Sequence, residues 1–257
     1  MISRVTIALA ASAMIAACTS PQAQRVERER RAATQFLERQ GSIGDPGRVA
    51  AADIAFAKMA REEGQWTAFR EYAAPEAVIH GVNGPILAQP WLAQQENPPV
   101  AVAWTPNTVW SSCDGTLAIS FGRFQEPDGK VGSYVSAWEL QDDNSYKYTY
   151  DLGALDNPQP VRQPEEELPE DAIIVPGMTA IEGRVADCPG ADAVLPEIPL
   201  LSTALPHRSG STRSGDGTLQ WTWFQSDDGQ RRVTVQWVRD GSVQEALDFA
   251  VPAAGES

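Results

Sequence analysis

Near residue 100 the spacing of apolar positions shifts from steps of three and four residues to strict alternation. Before that point, Val49, Ala52, Phe56, Met59 and Ala60 recur on one side of a 3.6-residue period. They predict an amphipathic helix over 47–63, ended by Gly64. Residues 66–72 (WTAFREY) predict a second, short helix with Thr67 near its start, and Pro75 closes it. Ala77–His80 reads as a brief apolar strand. Residues 81–100, with Gly81, Gly84, Pro85, Pro90, Pro98 and Pro99, read as loop, broken by one helical turn at Pro90-Trp91-Leu92.

After residue 100 the period is two. Strands are predicted over 100–111 (interrupted at Pro106), 116–124, 131–140 and 145–152. In the second, Leu117, Ile119 and Phe121 share a face. In the third, Tyr134, Trp138 and Leu140 face one way and Val135 and Ala137 the other. In the fourth, Tyr146, Tyr148, Tyr150 and Leu152 share a face. Asp114-Gly115, Asp128-Gly129 and Asp142-Asp143-Asn144 stand between them, residues that tolerate the positive φ of tight turns, so the pattern is an antiparallel meander. Residues 158–169 (PQPVRQPEEELP) then form an acidic, proline-rich linker or surface loop. Short strands are predicted at 172–175 and 179–186, and irregular chain over 189–206. Three more strands follow, marked by Leu219, Trp221 and Trp223, by Val233, Val235 and Trp237, and by 243–251. The segment DGTLAISFGRFQEPDGKV (114–131) is similar to DGTLQWTWFQSDDGQRRV (216–233). Duplication is one reading, but because their interior residues differ, reuse of the same hairpin turn chemistry is the preferred one.

Composition adds a location. Arg4, an apolar run from Val5 to Ala17 and then small residues follow the order of an export signal over 1–17, too short to span a bilayer. Ile15-Ala16-Ala17-Cys18 resembles the bacterial lipobox, which implies acylation at Cys18 and anchoring by lipid. Thr19 in place of Asp points to the outer membrane, facing the periplasm. Residues 18–47, including the mixed-charge RVERERRAATQFLER (25–39), read as a lipidated tether. The 257-residue chain has a formal net charge of −14, and loss of the leader removes only Arg4, so nucleic acid is excluded as a partner. With Cys18 acylated, Cys113 and Cys188 remain, and an oxidising compartment makes a disulfide between them the expectation, against two separate thiols. His80 and His207 are the only histidines, so neither a histidine-rich metal site nor a cofactor is expected.

Three stretches, AADIAFAKMAREEGQWTAFREYAAPEAVIHG (51–81), SSCDGTLAISFGRF (111–124) and GSYVSAWELQDDNSYKYTYDLG (132–153), together resemble the nuclear transport factor 2-like superfamily, in particular its SnoaL-like members. The resemblance covers about 48–153. It implies an α+β fold in which a curved antiparallel sheet wraps around N-terminal helices as a cone with an apolar pocket. Residues 154–251 would then be a β-rich extension packed on it. Family members include cyclases and isomerases that use a carboxylate or His in the cone, and many non-catalytic binding domains, so fold alone does not give function. Asp151 and His80 are the catalytic candidates. Asp151 reads otherwise as a solvated strand-end carboxylate, and His80 as a histidine bonded to backbone. Asp53 reads as a carboxylate favoured by the helix N-terminus. Trp66, Trp104, Tyr134 and Trp138 are candidates for pocket walls, with core filling as the other reading. The sequence therefore favours a non-catalytic domain that binds a small apolar ligand or a protein, homodimers included, with a SnoaL-like enzyme as the alternative.

Overall fold

The computed structural model describes residues 44–161, 180–189, 196–198 and 208–253. The export signal, Cys18, most of the tether, the strand expected at 172–175 and most of 189–206 lie outside the described residues. Helix α1 (Pro46–Glu63) begins with proline in its first turn. It is capped by Asp45, whose Oδ1 accepts the Gly47 N–H at 2.9 Å. Just before it, the Gly44 N–H donates to the Cys113 carbonyl at 2.6 Å. A Cβ at Gly44 would lie 2.0 Å from the Ser112 carbonyl oxygen, so only glycine fits this crossing. The folded body thus includes residues 44–47, which the sequence reading gave to the tether. Helix α2 (Gln65–Tyr72) follows Gly64, and the Asn97 side chain caps it by accepting from the Trp66 and Thr67 amides.

The segment read as loop after residue 81 holds two elements. Strand β1 (Ala73–Gly81) pairs with β2 (Gly84–Leu87), and α3 (Ala88–Leu92) follows. β1 starts earlier than expected because Pro75 sits in a register irregularity between Ala73 and Val78, where a missing N–H disturbs no ladder bond. Next come β3 (Ala103–Ser111), β4 (Leu117–Gln125), β5 (Val131–Leu140), β6 (Tyr146–Leu155) and β7 (Glu182–Val185). They build a seven-stranded sheet in the order β2-β1-β6-β5-β4-β3-β7. The fold is α+β, and the four-strand meander β3–β6 is antiparallel. The sheet is mixed, however, because β1 runs parallel to β6 and β7 parallel to β3. This corrects the expected antiparallel sheet. Residue alternation marks a strand but not its distant neighbour. A second sheet of β8 (Ser209–Arg213), β9 (Leu219–Gln225), β10 (Arg231–Arg239) and β11 (Ser242–Val251) is wholly antiparallel, in the order β11-β10-β9-β8.

The seven-stranded sheet has a core on each face. On one, Phe56 of α1 packs among Phe69, Tyr72, Trp104 and Tyr148 with ring centroids 4.8–5.8 Å apart. On the other, Leu117, Ile119, Val135 and Tyr150 meet Leu219, Trp221 and Val235 of the second sheet. A disulfide joins Cys113 to Cys188, with Cα atoms 5.0 Å apart, as the cysteine count led one to expect.

Candidate functional site

A β-bulge in β6 decides what faces the helices. Ala137 pairs with Tyr150 and Trp138 with Tyr148, leaving Thr149 as an extra residue. Side-chain parity reverses there. Tyr146 and Tyr148 pack under the helices, whereas Tyr150 and Leu152 face the second sheet. The expectation that these four share a face fails for that reason. The same reversal turns Asp151 toward the helices.

Asp151 lines a cavity of about 180 Å³ with Phe69, Trp104, Phe124, Tyr134 and Ser136. Ser136 Oγ donates to its Oδ2 at 2.6 Å, and no hydrogen bond to Oδ1 is present among the described residues. Burial pushes its pKa up from 3.8 to about 7. The Ser136 bond opposes the rise, and the charge of Asp53 adds to it.

Asp53 does not line the cavity; it lies behind Trp104 and Tyr134, which do. Its Oδ1 accepts from Trp104 Nε1 at 2.9 Å; its Oδ2 accepts from Ser120 Oγ at 2.8 Å and from the Tyr134 hydroxyl at 2.9 Å. Trp138 Nε1 in turn donates to Ser120 Oγ at 3.0 Å. Burial raises the Asp53 pKa against these three bonds, and burial together with the Asp53 charge holds Tyr134 well above 10.0 as a neutral phenol. The sequence reading that gave Asp53 to the helix dipole is thereby corrected. The residue lies in the third turn of α1, only 1% exposed. The missed signal was its spacing: Val49, Asp53, Phe56 and Ala60 form one buried stripe, with a carboxylate where an apolar residue is usual. Asp53→Asn puts two amide protons where only acceptors are wanted. It should cost about 2 kcal/mol in urea unfolding, while a change below 0.5 kcal/mol would contradict the network.

The other candidates are dispersed. Trp104 and Tyr134 reach the cavity. Trp66 packs edge-to-face against Phe69 and Trp91 instead, with centroids 5.4 and 5.1 Å apart, and Trp138 is fully buried in the core. His80 follows Ile79, the register partner of Asp151, and so alternates to the opposite face. Its Nδ1 lies 2.7 Å from the Tyr150 hydroxyl and its Nε2 3.4 Å from Gln225 Oε1, and burial lowers its pKa to about 4. His80 and Asp151 therefore do not form one site.

No family model matches the sequence, and no curated protein matches it. Among solved structures, the chain is similar to an aromatic ring hydroxylase-like protein from Novosphingobium aromaticivorans. Identity is 14%, coverage is 45% of this chain and 92% of that one, and the TM-score is 0.34. It is also similar to an NTF2-like protein of unknown function from Mesorhizobium loti, at 17% identity, 43% and 93% coverage and a TM-score of 0.29. At those scores neither likeness bears on the chemistry of the cavity, which rests on its own geometry.

Proposed function

We propose that the helix-covered face is the cone of a nuclear transport factor 2-like fold, and that its cavity binds a single-ring apolar molecule carrying one polar group. We further propose that lipid on Cys18 holds the chain in the cell envelope, at the outer membrane. The observation that carries the binding reading is Asp151, with one carboxylate oxygen open to a cavity walled mainly by Phe56, Phe69, Trp104, Phe124 and Tyr134. The size suits one ring, since an apolar cavity of ~150 Å³ holds benzene. Among the described residues no basic side chain lines the cavity, and Asp53 stands behind it, so the ligand is neutral or cationic.

Gly153 supplies the test. A Cβ there would meet Phe124 Cε1 at an ordinary 3.5 Å, so Gly153→Val is expected to be accepted by the strand and to obstruct the cavity with its methyl groups. Phenol, cyclohexanone and benzylamine cover the ligand classes. At least one should raise the melting temperature of wild type and not of Gly153→Val. Equal shifts in both proteins, or none in wild type, would remove the proposal.

A second reading is supported by the near-neutral Asp151: proton transfer, as in the SnoaL-like isomerases. Ionised Asp151 would take a proton from carbon next to a ligand carbonyl and return one from solvent. Proton–deuterium exchange of cyclohexanone in D2O should then be catalysed by wild type and lost in Asp151→Asn, with binding retained. Binding without exchange would leave the non-catalytic reading.

The anchor rests on Ile15-Ala16-Ala17-Cys18 and on the Cys113–Cys188 disulfide, a bond of oxidising compartments. Wild type should enter the detergent phase on cloud-point separation, and Cys18→Ala should stay in the aqueous phase. A wild type that partitions like the variant would contradict lipidation.

A further inference from the structure

The turns before β4 and β9 are built from the same bonds. Ser112 Oγ donates to Asp114 Oδ1 at 2.6 Å, and Ser214 Oγ to Asp216 Oδ1 at 2.7 Å. The Thr116 amide and hydroxyl donate to Asp114 Oδ1 at 3.0 and 2.8 Å, and those of Thr218 to Asp216 Oδ1 at 3.0 and 2.8 Å. The two turns also bond to each other by exchange. The Asp114 N–H donates to Asp216 Oδ2 at 2.7 Å, and the Asp216 N–H to Asp114 Oδ2 at 2.8 Å. The Cys113 N–H donates to Thr218 Oγ1, and the Gly215 N–H to Thr116 Oγ1. A contact in which residue i meets j and j meets i in equivalent environments is the signature of a two-fold axis.

The equivalence runs through both sheets. Trp110 pairs with Ile119 as Thr212 pairs with Trp221, and Ser120 with Ser136 as Thr222 with Thr234. The β6 bulge after Ala137 recurs in β11 after Val235. Two registers before each bulge, Ser136 faces Asp151 and Thr234 faces Asp248. Positions on the shared interface stay apolar in both, Leu117 with Leu219 and Val135 with Val233. On the other face they diverge as their surroundings require. Trp138 under the helices corresponds to Gln236, and Asp151 in the cavity corresponds to Asp248, which is paired with Arg232 and partly solvent-exposed.

We infer that the C-terminal sheet is a second copy of the meander β3–β6, without helices, docked on the first about a local two-fold axis through Asp114 and Asp216. It occupies in cis the face by which two copies of the first meander would otherwise pair. The chain is a single-chain pseudo-dimer in which only the first copy carries helices over its free face, and the face shared by the two sheets is closed to a second chain. Duplication thus accounts for the similarity of 114–131 to 216–233, and separate reuse of a turn does not, because separate reuse gives no exchanged bonds and no shared bulge.

Amide hydrogen exchange on the full chain tests this. Asp114→Ala should speed exchange at the Asp216 amide at least tenfold, and Asp216→Ala should do the same at Asp114. Each substitution removes the acceptor of the opposite turn. The two variants should lose melting temperature equally, and the double variant should lose much less than the sum. Should the alanine variants fail to fold, Asp114→Asn and Asp216→Asn keep the turn shape and give the same reciprocal readout. Exchange that rises only within the substituted turn, or unequal and additive losses, would overturn the inference. So would a wild-type dimer on sedimentation whose affinity changes with Asp114→Ala, since that would place the pairing between chains.

Discussion

At pH 8, Asp151→Asn is expected to make the protein more stable than wild type by about 3 kcal/mol. The cause is the cavity. Asp151 titrates near 7 in the fold against 3.8 for an ordinary aspartate, so the native state holds its proton over that window and the unfolded chain does not. The stabilisation is complete below about pH 4 and is lost as pH rises through 7. Three pKa units correspond to about 4 kcal/mol, which water in the open cavity reduces. Asparagine keeps a neutral polar group and loses the pH dependence. His80 slopes the other way. Its pKa falls from 6.5 to about 4, so its contribution is present above about 6.5 and is lost as pH falls toward 4. Between pH 4 and 6.5 the two oppose each other. Relative to wild type, Asp151→Asn should gain stability with rising pH there, and His80→Asn should lose it. Urea midpoints at half-unit pH steps would show this, and parallel curves for the three proteins would contradict the placement of both residues.

Cys113→Ser is expected to cost about 4–5 kcal/mol. The bridge joins residues 75 apart, and in the chain-entropy model a loop of that length restricts the unfolded state by about that much. The loss also has a location. Cys188 lies just beyond β7, whose Val185 pairs with Ser111 of β3, and the Asp187 N–H donates to the Val238 carbonyl of β10. Opening the bridge frees the segment that ties the edge of the first sheet to the second. Hydrogen exchange should therefore rise first in β7 and at Asp187, before the meander β3–β6. A Cys113→Ser protein with unchanged urea midpoint would mean that the remaining contacts hold that segment unaided.

Legibility followed locality. β4 and β5 could be read because Leu117, Ile119, Tyr134 and Trp138 alternate without interruption and Asp-Gly pairs mark the turns. The Cys113–Cys188 pair could be read by elimination. What escaped the sequence depended on events between segments. The bulge at Thr149 reverses the face of Asp151 relative to Tyr146 and Tyr148, and single-strand alternation carries no sign of an inserted residue. Asp53 reads from the sequence as a carboxylate favoured by the helix N-terminus; three donors from β3, β4 and β5 make its burial tolerable, and they lie 51 to 81 residues away. The duplication was hidden by its own consequence. One copy has Trp138 where a helix covers the sheet and the other has Gln236, so the two interiors do not match.

The proposed site depends on a carboxyl group placed in the cavity with one oxygen free. A carbon-detected NMR titration of the Asp151 carboxyl, assigned by its loss in Asp151→Asn, tests that directly. The expected midpoint is near 7 in the free protein, displaced when a single-ring ligand occupies the cavity. A midpoint near 4, unchanged by any ligand, would place Asp151 in solvent and contradict the site.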